Sequence, residues 1–210
     1  MLKKLLLSAV ALTAACSTLP AFAAAADFYG VVSVGRSQFN ANAGSVDTYN
    51  LNNGFTSSTT SPSTSANGGK LQLGYNLGKT FALEGGYTYL GKVSFVSNTN
   101  AGLIGGSTEA GLLNLDLVGK FPLNEQFSIL GRLGVYYWKT KNDMPNSTTL
   151  GTTGVNDNGT DFKFGGGVQY DFNPKIGMRG EFERFNGIGN SATTGNPKVN
   201  QLTVGAVLKF

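Results

Sequence analysis

A chain of 210 residues with 30 glycines, only 13% charged residues and no histidine lacks the side chain on which common hydrolytic triads and many metal sites depend. Its formal charge of +4 falls to 4 − 2 = +2 if Lys3 and Lys4 leave with a cleaved leader, too small and scattered a charge to indicate nucleic acid. Mean hydropathy is −0.06, and past the first residues no apolar run is long enough for a transmembrane helix; alternating strands escape that test.

Residues 1–23, MLKKLLLSAVALTAACSTLPAFA, read as a secretory signal peptide: two lysines, a short apolar run, and Ala21-Phe22-Ala23 as a small-x-small cleavage site. Residues 24–210 then form the mature domain, outside the cytoplasm. Cys16 is the only cysteine, and Thr13 stands where a lipoprotein leader would carry a large aliphatic residue. It is read as part of the discarded leader, which leaves no disulfide to support the fold.

Eight segments alternate with period two, near residues 27–38, 69–77, 81–92, 109–121, 127–139, 161–171, 176–185 and 200–210. The connections after the second, fourth and sixth (LGKT, PLNEQ, FNPK) are short. The others, about 39–68, 93–108, 140–160 and 186–199, are long and rich in Ser, Thr, Asn and Gly. Short turns at one end and long polar loops at the other are the layout of an all-β, eight-stranded antiparallel up-and-down barrel in the bacterial outer membrane, with the loops outward. The closing run QLTVGAVLKF must then pair with the first strand, because a free edge in lipid leaves unsatisfied backbone groups.

Parity assigns the faces. Leu71, Leu73, Leu83, Leu113, Leu115, Leu117, Leu133, Val168 and Phe182 share one; Gln72, Glu84, Asn114, Asp116, Arg132, Lys163, Gln169, Arg179, Glu181, Glu183 and Lys209 share the other, together with many glycines. A soluble ligand-binding barrel alternates too, but glycine belongs in the cramped interior of eight strands, so the charged face points inward. Tyr75, Phe81, Phe121, Phe127, Tyr170 and Phe210 gather beside the short turns, as an aromatic girdle at the lipid interface requires. Arg36 and Arg184 fall on the outward parity at the long-loop ends; there a charge is tolerable and can meet lipid phosphates, although the preferred reading ends both strands before them.

The stretches VGRSQF (34–39), LEGGYTYLG (83–91), GKFPLNEQFSILGRLGVYYW (119–138) and GGGVQYDFNPKIGMRGEFERFNGIG (165–189) resemble the transmembrane barrel of the outer membrane protein A family. The resemblance implies an outer-membrane location in contact with lipid and lipopolysaccharide. It also implies recognition of the last strand, ending on Phe210, by the barrel-assembly machinery. Family members continue into a periplasmic domain that grips peptidoglycan; with the sequence stopping at Phe210, that tethering role is not expected here. An interior acid and arginine that bridge the family lumen match Glu84 and Arg179, whereas the second acid and alternative base match Gln169 and Val118, so a bridge that switches partners is not expected.

The interior charges Glu84, Asp116, Glu181 and Glu183 against Lys120, Arg132, Lys163, Arg179 and Lys209 read as a polar plug, with Gln169 beside them. The alternative is a small low-conductance, porin-like channel, for which removal of Glu84 should raise conductance. No catalytic residue, cofactor or metal site is expected. Asn156–Asp161 (NDNGTD) lacks the terminal acid of a calcium loop and reads as a solvated turn, and the two Asn-x-Ser/Thr triplets at 146 and 158 are chance matches. The long loops form the working surface, open to a surface ligand. The first is nearly chargeless and reads as a flexible binding or spacer segment. A monomer with a structural and surface-interaction role is the expected whole.

Overall fold

The computed structural model describes residues 27–190 and 195–210, so the expected leader lies outside the described residues. In chain order these residues form β1 (Phe28–Phe39), α1 (Ala43–Asn52), β2 (Ser58–Pro62), β3 (Ser65–Asn76), β4 (Phe81–Thr99), β5 (Gly102–Pro122), β6 (Phe127–Asn146), β7 (Gly151–Asp171), β8 (Ile176–Phe185) and β9 (Val199–Lys209). Eight strands, β1 and β3 to β9, pair with their neighbours antiparallel in a closed ring. Closure is made by β9 on β1, from Tyr29↔Lys209 to Phe39↔Val199, and the Phe210 amide adds a bond to the Phe28 carbonyl at 3.1 Å. No backbone edge is left at the seam, which is what lipid demands.

The burial pattern fixes the orientation of the pleat. Leu71, Leu73, Leu133 and Leu202 are 59–67% exposed on the outer wall, while Glu84, Asp116, Lys163 and Glu183 are 0% exposed within. This is the inverse of a soluble barrel and is stable only when the outer solvent is hydrocarbon. Arg36 and Arg184 lie inside β1 and β8, so both strands run past them instead of ending before them. The backbone hydrogen-bond ladder continues because β9 pairs with both residues, at Leu202 and Asn200.

At the long-loop end the strands exceed their sequence bounds. β4 and β5 pair as far as Thr99↔Gly102, and β6 and β7 as far as Asn146↔Gly151, so two of the expected loops are extended hairpins. NDNGTD therefore lies within β7 and is not a turn. Outside the membrane, Ser, Thr, Asn and Gly can alternate in a ladder without an apolar face, and that composition reads as a loop. Gly91 marks the level where β4 changes character: the register slips between Tyr89 and Gly91, and its φ of 93° suits glycine at such a bulge.

The first long connection is ordered, in contrast to the flexible segment expected. Asn42 caps α1 by accepting from the Gly44 amide at 3.0 Å. Asp47 accepts from Ser58 at 2.8 Å and Thr60 at 2.7 Å, and Asn50 donates to Ser58 at 2.9 Å and Ser97 at 3.1 Å, tying the helix to β2 and β4. Val46 packs with Phe95 and Met144. β2 in turn pairs with Phe95–Thr99, covering the part of β4 that rises beyond β3.

Candidate functional site: the barrel interior

Facing side chains place the ionic groups at one level of the lumen. Glu84 (β4), Asp116 (β5), Arg132 (β6), Lys163 (β7), Arg179, Glu181 and Glu183 (β8) meet there, joined by Lys70 (β3). Glycines opposite them supply the room. Gly134 pairs with Asp116 and Gly167 with Glu181, and a Cβ at either would run into that partner or its strand.

The carboxylates and cations alternate in contact. Glu84 Oε1 accepts from Arg179 Nη1 at 2.6 Å and from the Tyr29 hydroxyl at 2.6 Å, while its Oε2 is held by Arg132. Arg132 Nη1 reaches Glu183 at 3.0 Å and Glu181 at 3.3 Å. Lys163 Nζ lies 2.6 Å from Glu183 and 3.1 Å from Asp116. Lys70 Nζ binds Glu181 at 2.7 Å and also contacts Glu183. Four acids thus face four bases, and every one of them has an oppositely charged partner. Burying charge is strongly unfavourable unless such pairing and hydrogen bonding offset the lost hydration.

Of the residues expected in this network, Glu84, Asp116, Arg132, Lys163, Arg179, Glu181 and Glu183 come together. Gln169 joins as a neutral partner, accepting from Arg179 Nε at 3.1 Å and Nη2 at 2.9 Å. Val118, at the position of the alternative base, is fully buried in a different, apolar layer. Lys120 stands apart: it donates to Asn76 at 2.7 Å and lies 4.2 Å from the centre of the Tyr29 ring. Lys209 likewise pairs below the layer, with Asp171 at 2.6 Å. Lys70 and Tyr29 were not anticipated; both share the inward parity of their strands, with Gln72 and Val31, and that was the available signal.

Two apolar layers bracket the ionic one. Toward the short turns lie Tyr29, Val31, Ala82, Val118, Leu130 and Val207. Toward the long loops, Phe39, Leu90, Leu112, Tyr136, Phe185 and Val199 close across the lumen, and Ile188 of the last connection packs into the same cluster. The Tyr136 and Phe185 rings meet edge to face at 5.4 Å, and the Tyr136 hydroxyl donates to the Gly187 carbonyl at 2.9 Å.

On the outer wall near the short turns, Tyr75, Phe81, Phe121 and Phe210 are exposed and Phe127 and Tyr170 are half-buried. The Phe28 and Tyr75 rings pack at 4.7 Å, and Tyr170 packs on Phe172 at 5.2 Å.

Residues 23–210 match the OmpA-like transmembrane domain. The chain belongs to that family. It is 30% identical over 141 residues to outer membrane protein A of Salmonella typhi, which covers 65% of this chain and 38% of that protein. The chain therefore spans well under half the length of that relative. Among solved structures, Neisserial surface protein A superposes with a TM-score of 0.59 at 13% identity, covering 87% of this chain and 97% of that one. OprG of Pseudomonas aeruginosa gives 0.52 at 12% identity, covering 89% and 97%. Family and fold together make this an outer-membrane β-barrel.

Proposed function

We propose that this barrel is a closed, non-enzymatic scaffold in the outer membrane that anchors and displays its extracellular elements. The apolar layer over the outer mouth carries this reading. A lumen lined only by ion pairs can hydrate and admit ions when a bridge opens, whereas Leu90, Leu112, Phe185 and Val199 exclude water without needing any bridge to stay shut. The surface displayed is the platform of α1 and β2 with the two tall hairpins, available to a surface ligand. Lipid and lipopolysaccharide surround the wall, with Tyr75, Phe81, Phe121, Phe127, Tyr170 and Phe210 forming the interfacial girdle. The β9 strand with Phe210 just after it serves as the signal to the assembly machinery, and the barrel works as a monomer.

The ionic layer favours the porin-like alternative, and single-channel recording in planar bilayers separates the two. A scaffold is silent as wild type and remains silent as Glu84→Ala, because the apolar layer is untouched. Discrete current steps in the wild type, or their appearance in Glu84→Ala with the fold intact by heat-dependent gel migration, replace the scaffold by a gated channel.

A further inference from the structure

The wall at the long-loop end carries charge of two kinds. On the β4 to β6 side, Glu109 is in register with both Lys92 and Lys141, and Lys92 approaches Asp143 at 4.0 Å. The β1, β9 and β8 side has cations alone. Arg36 and Arg184 project outward within their strands, and Lys198 is exposed just before β9, its carbonyl bound by the Asn40 amide at 2.8 Å. β1, β3 and β9 contain no acidic residue, and the two acids of β8, Glu181 and Glu183, point into the lumen. None of these three cations forms a salt bridge among the described residues.

Register brings the two arginines to one height. Arg36 is opposite Leu202, which is opposite Phe182, so Arg184 lies two strands across and two residues farther out. The row through Arg36 descends in this direction: it continues through Gly166, Gly131 and Gly119 to Phe81 beside a short turn. The two-residue offset therefore compensates for strand tilt. Ordinary strand spacing and rise put their Cα atoms about 12 Å apart, a gap that two extended guanidinium side chains can bracket.

Beside Arg36 the wall is concave. Arg36, Gln38, Ser65 and Asn200 form the upper lining of this groove, with Phe182 and Leu202 below. Arg184 is outside that lining but adjoins it, opposite Asn200 and two residues beyond Phe182. Arg36 Nη2 donates to Ser65 at 2.7 Å, which steadies the side chain and leaves other guanidinium donors free. Beneath the groove Val34 and Val204 continue the apolar wall. Basic donors above an apolar channel suit an amphiphile with a phosphate at the head and acyl chains below.

We infer that the β1, β9 and β8 face binds a phosphorylated lipid of the outer leaflet, its phosphate held between Arg36 and Arg184 and its acyl chains against Phe182 and Leu202. The inference rests on the long-loop end facing outward, as the proposed function requires. Full-length protein reconstituted in phosphatidylcholine nanodiscs containing a little bisphosphorylated lipid A, then extracted in mild detergent, tests it by mass spectrometry of the retained lipid. Wild type should keep lipid A. Arg36→Gln/Arg184→Gln should lose it by roughly tenfold, the scale of one or two charge-assisted contacts. Lys139→Gln/Lys141→Gln, on the β6 wall, should retain it. Equal retention by the arginine variant, folded by gel migration, overturns the site. So does equal retention of dephosphorylated lipid A. Arginine-dependent binding of inorganic phosphate with no preference for lipid A would make this a free-anion site and overturn the lipid assignment. Loss confined to the arginine variant, with conductance unaltered, keeps this result distinct from any failure of the scaffold reading.

Discussion

The ionic layer and the apolar layer above it are built on the same inward parity of the same strands. Glu84 and Leu90 belong to β4, Asp116 and Leu112 to β5, Arg132 and Tyr136 to β6, and Glu183 and Phe185 to β8. Within a few residues the lining passes from ions to hydrocarbon. The first layer is directional: each charge requires a particular neighbour, so it favours one strand register over its alternatives. The second is non-directional and excludes water whatever the pairing below it. A barrel lining rich in charge is therefore not by itself evidence of a conducting path.

The sharpest way to break this contrast is to leave the ionic layer unbalanced. Glu183 is touched by Lys70, Arg132 and Lys163, so Glu183→Ala leaves the buried layer one negative charge short where three cations meet. The expected loss is about 3–5 kcal/mol of unfolding free energy, measured by urea titration of the protein in lipid vesicles. A loss below about 1 kcal/mol would mean that the layer is solvated and does not select register.

How much of this was readable beforehand depended on the solvent outside each segment. Within the membrane, lipid on one side and a cramped lumen on the other force strict alternation, and Leu71 to Leu73 or Glu84 to Leu83 show it plainly. Beyond the membrane the outward face meets water, and the buried inward face includes polar residues such as Ser97 and Asn142. The contrast between the faces then fades from the composition, so Ser94–Thr99 and Asn142–Asn146 read as loops although they are strands. The ordering of Ala43–Asn52 depends on Asp47 and Asn50 reaching β2 and β4, contacts that a local pattern does not contain. The apolar outer layer was legible in principle, since positions 90, 110, 112, 136 and 138 keep the inward parity of Glu84, Asp116 and Arg132. The charged positions dominate that face and mask its change of character along the strands. Lys70 was concealed similarly, at the margin of an expected strand beginning at residue 69.

The apolar layer should respond more moderately and in a different manner. Leu112 is 1% exposed, and Leu112→Ala removes its packing without exposing a charge. The expected cost is about 3 kcal/mol from lost burial and the cavity left behind. Because no ion pair is involved, raising salt in the same urea titration should leave the difference unchanged. A strongly salt-dependent cost would show that the mutation acts through the ionic layer below.

The smallest effect is expected where geometry is the same and only burial differs. Lys209 lies 2.6 Å from Asp171, the distance that also separates Lys163 from Glu183, but its side chain is 30% exposed at the short-turn end while that of Lys163 is 0% exposed. Water near this end solvates either partner once the other is gone, so no uncompensated charge remains. Lys209→Ala should therefore cost about 0–1 kcal/mol, diminishing further at high salt. The same titration checks it. A cost equal to that of Glu183→Ala would place the short-turn end in as dry a setting as the middle of the lumen, and separation from water could then no longer explain why identical contacts differ in weight.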